Sequence, residues 1–182
     1  MELQEETISW LLDSDPSIRW QVLQDLLNSD SESIILEREK ISKKGWGARL
    51  LELQDSDGKW GGELYRHKWI STTYTLALLR RLGLVKYNSQ ALKSCKMLLD
   101  GGYRKGGWIT YTITRDIRDN GITGMILSLL CYFGYDDERI HEMVLDLLEQ
   151  QKIDGSWSYN SEDNTLKYSV SCTLAILQGL LE

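Results

Sequence analysis

Pro16 is the only proline and Phe133 the only phenylalanine among 182 residues, and His67 and His141 are the only histidines. So little proline leaves long stretches free to stay helical, because each interior proline removes a helix hydrogen bond. Two widely separated histidines, with no Asp-x-Cys pair beside them, form no recognisable zinc set, and no metal or other cofactor is expected. Positive charge is also short: 21 Lys and Arg face 27 Asp and Glu, a net charge of −6. A general nucleic-acid binder needs a basic stripe, so no nucleic-acid partner is expected. The pairs Lys43-Lys44 and Arg80-Arg81 read as helix-end cations that complement the helix dipole. No apolar run approaches membrane-spanning length. The acidic start, Met1–Glu6, is unlike a signal or transit peptide. Cys95, Cys131 and Cys172 are odd in number and set in apolar helical sequence, which reads as reduced core thiols and a cytoplasmic location.

What the chain has is tryptophan, seven in all, and a repeated signature around three of them. Gln54 to Trp60 and Gln151 to Trp157 both read Gln-x-x-x-Gly-x-Trp. Gly102 to Trp108 keeps the Gly and Trp but places Gly102 where the Gln stands. Trp60, Trp108 and Trp157 are 48 and 49 residues apart, a period that implies stacked supersecondary units. Physically, the Gly permits a tight turn and the Trp covers the seam between helix pairs. The Gln reaches orphan backbone groups of a neighbouring helix. These are structural roles, and the absent Gln predicts a looser middle staple.

The pattern predicts an all-α protein. Asp15 caps a helix with Pro16 at its first position, and Ile18, Val22, Leu23, Leu26 and Leu27 form its apolar stripe. Further helices are expected over 33–43, broken by Gly45, and over 47–54. Helix 71–82 should end at Gly83, helix 89–99 should start on Ser89 as N-cap, and helix 120–133 should end at Gly134. Helices 137–151 and 166–181 complete the set. Short connections at 84–88 and 134–136 alternate with long ones at 55–70, 100–119 and 152–165. The long loops share one phase of the repeat and should gather at one end. The chain reads as one domain, 1–182, with a helical layer at 1–45 and repeats near 46–99, 100–151 and 152–182.

The runs Leu50–Gln54 into Gly58-Lys59-Trp60 and Ser71–Leu79, and the matching runs Leu147–Trp157 and Ser171–Leu177, resemble the α/α-toroid superfamily. That group comprises the squalene–hopene and oxidosqualene cyclases and the β subunits of protein prenyltransferases. Residues 13–27 are similar to the start of bacterial proteins with prenyltransferase- and squalene-cyclase-type repeats. The resemblance covers roughly residues 46–182 and implies helical hairpins forming an α/α toroid or an open part of one. It also implies an isoprenoid or other apolar ligand. The family's Asp-x-Asp-Asp acid is not matched: Asp116-Ile117-Arg118-Asp119-Asn120 puts Arg118 at the acid position, and pairing Thr72 with Thr123 puts Gly121 there. Asp116 and Asp119 remain as weak catalytic candidates, with helix capping the plainer role. Asp136-Asp137-Glu138 and Glu162-Asp163-Asn164 lack the spacing of a Mg²⁺-diphosphate cluster.

Aromatic and polar residues of the long loops supply the substrate-binding candidates: Tyr65, His67, Trp69, Tyr74, Trp108, Tyr111 and Arg118, with Arg66, Arg115, Tyr159 and Tyr168 nearby. Aromatic faces can hold a prenyl chain or a carbocation. Two functions follow as expectations. One is a cyclase- or prenyltransferase-like protein with an apolar ligand in its cavity, its catalysis unsupported by any motif. The other is a non-catalytic helical-repeat scaffold that uses its concave face. Lastly, about eight helices fall short of a closed ring, and Leu174, Ile176, Leu177, Leu180 and Leu181 should leave an apolar face. A second copy of the chain or a further C-terminal segment is expected to cover it.

Overall fold

Asp15 organises the start of the chain. Its carboxylate accepts from the Ser17 amide at 2.9 Å as the N-cap of the first proline-led helix, and from the Trp46 amide at 2.8 Å. Those bonds hold its pKa below the usual carboxylate value, although burial opposes them. Gly45 therefore begins a helix instead of breaking one. Its φ is +73°, and a Cβ there would strike the Asp15 carboxylate.

The computed structural model describes residues 5–111, 117–159 and 169–182. Within them the helices are α1 (Glu5–Leu12), α2 (Pro16–Gln21), α3 (Ser31–Glu39), α4 (Gly45–Glu52), α5 (Thr72–Leu82), α6 (Ser89–Gly102), α7 (Asn120–Phe133), α8 (Glu138–Glu149) and α9 (Val170–Leu181). A π-helical turn, Val22–Leu26, continues α2, and a two-stranded hairpin, β1 (Tyr103–Arg104) with β2 (Trp108–Ile109), follows α6. The protein is thus mostly helical, and no described helix is long and apolar enough to cross a membrane.

Several local expectations need correction. Asp30, not Ser33, starts α3, because its carboxylate accepts the Ser33 amide at 2.9 Å, and α3 stops at Glu39. Asn88 caps α6 in place of Ser89, since its side-chain oxygen reaches the amides of Gln90 and Ala91, both at 3.1 Å. Leu26 and Leu27 are exposed, for the π turn rotates them off the stripe that buries Val22. Gly83 and Gly134 end α5 and α7 in the left-handed conformation, as the pattern predicts.

The core is continuous from α4 to α9 and is built on α7, whose Ile126, Leu127, Leu129, Leu130 and Phe133 are all fully or almost fully buried. Helices α7 and α9 run parallel and in close contact. Gly124 lies against the Ile176 backbone, so a Cβ on Gly124 would come within 2.7 Å of it, and Gly179 faces Leu127. Small residues at this crossing let the two backbones approach.

The α9 face differs in part from expectation. Ile176 is buried in the α7 contact and Leu180 is half-buried. Val170, Leu174, Leu177 and Leu181 are exposed at 66%, 55%, 48% and 89%, and their spacing puts them on one stripe of the helix. The uncovered face is narrower than expected and starts earlier.

Candidate functional site

The two complete signatures share three bonds: tryptophan indole to carbonyl, tryptophan amide to threonine, and glutamine to glycine carbonyl. The Trp60 indole N–H donates to the Leu50 carbonyl at 2.7 Å, and that of Trp157 to the Leu147 carbonyl at 2.6 Å. Each Trp amide donates to a threonine hydroxyl: Trp60 to Thr72 at 3.1 Å, Trp157 to Thr173 at 3.0 Å. Gln54 donates to the Gly58 carbonyl at 3.1 Å and to Ser94 at 2.8 Å, while Gln151 donates to the Gly155 carbonyl at 3.1 Å.

In the middle segment the register moves by one residue. The Ile109 amide, not that of Trp108, donates to a threonine, Thr123, at 3.0 Å. Gly107 sits at φ +89°, beside Gly58 at +99° and Gly155 at +81°. Counting back from Gly107 places Tyr103, not Gly102, at the Gln position. A hairpin replaces the Gln bonds there: Tyr103 pairs with Ile109 across it. Trp108 is consequently displaced and only half-buried. The Arg118 guanidinium stands 5.7 Å from its ring and bonds both carboxylate oxygens of Asp146 on α8. Trp108 and Arg118 are thus engaged with each other and with α8.

The long loops meet at the N-terminal ends of α5 and α7. Tyr65 stacks on Tyr111 with centroids 5.5 Å apart and lies 5.7 Å from Tyr74, which in turn lies 5.5 Å from Trp69. The Asn120 amide donates to the Tyr159 carbonyl at 2.9 Å and draws the third loop in. Tyr111 donates its hydroxyl to the Leu98 carbonyl at 2.8 Å. Burial raises the pKa of both Tyr65 and Tyr111, and for Tyr65 the neighbouring Tyr74 adds to it. Trp69 is 80% exposed and His67 is also exposed; both have positive φ, +81° and +58°. A cleft of about 370 Å³ lies beside Tyr65 and Tyr111, with Arg66 and Arg104 on its wall. Asp119 is the N-cap of α7, accepting the Ile122 amide at 2.9 Å. Burial raises its pKa despite that bond. Asp116, Arg115 and Tyr168 lie outside the described residues. Among the described residues no three His, Cys, Asp or Glu side chains group as metal ligands.

A second concavity was not anticipated. A groove of about 770 Å³ crosses α2, α3, α5, α7 and α9. Arg38, Arg80 and Arg81 line it together with Trp20, Tyr132 and Gln178, and Glu182 closes one end. Arg38 donates to the Gly83 carbonyl at 3.0 Å and the Tyr132 hydroxyl at 2.8 Å, and lies 5.2 Å over Trp20. Arg80 bonds Ser128 and Glu182 and lies 5.4 Å over Tyr132. The helix-end reading of Arg80-Arg81 concealed this, since the last turn of α5 is also one wall of the groove. One sequence signal existed: Ala77, Ser128 and Gln178 each fall five residues after the equivalent Thr72, Thr123 and Thr173, marking a small and polar helix face.

No protein-family model matches the chain, and neither a curated protein nor a solved structure matches it.

Proposed function

We propose that this protein is a non-catalytic helical-repeat binding module that holds its partner in the groove across α5, α7 and α9. In this reading the helical hairpins form an open arc of an α/α toroid and the groove is its inner face. The observation that carries it is the charge on that face: three arginines stand on its walls, with Glu182 the one carboxylate among them. A cyclase cavity requires an enclosed, mainly apolar chamber around the reacting chain. Solenoid-like repeats, by contrast, use extended concave surfaces to hold other macromolecules.

A second reading rests on the loop end. There Tyr65, Trp69, Tyr74 and Tyr111 form a chain of ring contacts, and Asp119 is a carboxyl that burial biases toward its neutral form. An isoprenoid or similar apolar ligand would lie against those rings, with Asp119 at the start of α7 as the candidate acid.

Two measurements separate the readings. A photoreactive p-benzoylphenylalanine at Gln178 is expected to give a discrete protein adduct in cell extract, and the same probe at exposed Glu138 is not. Native mass spectrometry before and after organic extraction tests the other site. A lipid that co-purifies, with no adduct at Gln178, overturns the binding-module reading in favour of the second.

A further inference from the structure

We infer that the partner of the groove is an acidic peptide segment whose carboxylates are taken by Arg38, Arg80 and Arg81; this rests on the binding-module reading above. The charge balance inside the groove is opposite to that of the chain. Three guanidinium groups line it against one carboxylate, Glu182, whereas the protein as a whole carries −6. Among the described residues Arg38 and Arg81 have no carboxylate partner. An arginine without an anion is a strong binding site for a carboxylate, because its planar donors match the two oxygens.

Two of the arginines, Arg38 and Arg80, are also held in place in advance. Trp20 and Tyr132 provide ring faces under Arg38 and Arg80, and the Gly83 carbonyl and Tyr132 hydroxyl fix the Arg38 fork. Arginine has five N–H donors, so these two bonds leave others to point at a ligand. The chain's own Glu182 carboxylate already sits on Arg80, showing the geometry a ligand carboxylate would adopt.

The extent of the groove selects a peptide over a compact anion. Arg38 is bound at the Tyr132 hydroxyl, while Arg80 lies over the Tyr132 ring. They flank one aromatic side chain, and the lining continues from them across α7 to Ala175 and Gln178 on α9. Carboxylates strung along an extended chain can follow such a groove; one phosphate group would fill only part of it. The Gln178 amide, unbonded among the described residues, is placed to pair with the peptide backbone.

The test is fluorescence anisotropy with labelled hexaglutamate and hexaglutamine peptides at low salt. Hexaglutamate is expected to bind and hexaglutamine not, with affinity falling as salt rises. Arg81→Gln, at an exposed position, should weaken binding by about fivefold or more, and Glu182→Gln should tighten it severalfold by freeing Arg80. Thermal melts of both variants check that the fold persists. Equal binding of the two peptides, or affinity unchanged by both substitutions, overturns the proposal. So does inorganic pyrophosphate binding more tightly than hexaglutamate, which would make the site one for a small anion. If hexaglutamate fails while the Gln178 adduct forms, the acidic class is wrong and the binding module stands; if neither occurs, both fall.

Discussion

The Thr123 hydroxyl accepts the Ile109 amide at 3.0 Å, and so makes Ile109 the counterpart of Trp60 and Trp157. Ile109 is fully buried where the two tryptophans are 3% and 1% exposed, while Trp108 is turned toward Arg118. The three threonines, and not the three tryptophans, keep register across the segments.

A clear order of stability losses follows from that assignment. Trp157→Ala should cost about 3–5 kcal/mol and Ile109→Ala about 2–4 kcal/mol, because each empties a closed site. Trp108→Ala should cost less, about 1–2 kcal/mol, mostly through the lost contact with Arg118. Urea denaturation of the three variants gives the order directly, and a larger loss at Trp108 than at Ile109 would reverse the register.

Gly107 and Gly62 both have positive φ but differ in surroundings. A Cβ on Gly107 would strike the Glu142 carbonyl, whereas one on Gly62 meets nothing within 4 Å. Gly62→Ala should therefore cost only the left-handed strain, about 1–2 kcal/mol, and Gly107→Ala clearly more. Denaturation midpoints of the two variants make the comparison.

The Arg118–Asp146 pair joins the segment before α7 to α8, with the Asp146 side chain 7% exposed. Arg118→Leu should destabilise by about 3 kcal/mol by leaving that carboxylate without its cation. The double variant Arg118→Leu/Asp146→Leu should recover much of the loss. A double-mutant cycle reads the coupling, and simple additivity would mean the pair is not coupled.

Asp119 sets a pH dependence of defined sign. Burial raises its folded pKa above the unfolded value, so the stability it contributes is complete below the ordinary carboxylate pKa. That contribution is lost as pH rises through the raised value. Asp119→Asn keeps a capping side chain and removes the titration. The stability of the variant relative to the parent should accordingly rise with pH across the mildly acidic range. Urea midpoints at a series of pH values measure it, and a flat difference would show that the carboxyl is not perturbed.

On α9, Leu174→Gln/Leu177→Gln should leave monomer stability within about 0.5 kcal/mol, since both side chains are exposed. Sedimentation velocity of the parent and this variant then reads the stripe separately from the fold. Self-association that this change abolishes would assign the stripe to a second copy of the chain.

Much of the helical framework was legible in local sequence. Pro16 after Asp15, Gly83 after Leu82 and Gly134 after Phe133 are boundaries that backbone geometry imposes on particular residues. Boundaries resting on a choice between adjacent caps were not legible: Asn88 and Ser89 are both good N-caps, and only the path of the incoming chain selects one. The aromatic candidates divided in the same way. Tyr65 and Tyr111 come together beside Tyr74 in the first turn of α5 because their loops meet there, whereas Trp108 and Arg118 are drawn off by Asp146, a residue that nothing local singles out.

By itself, the sequence determined that the chain is mostly helical, where many of its helices end, and that Gln54–Trp60 and Gln151–Trp157 make equivalent turns. Those features depend on backbone sterics and on bonds within one segment, so residue identity suffices. Tertiary structure alone decided that Ile109 stands in for a tryptophan, that Arg80 and Arg38 share a groove with Glu182, and that Ile176 is covered while Leu174 is not. Each of those depends on which surfaces meet after helices distant in sequence have packed, and a side chain's partner across such a contact is not written in its neighbours along the chain.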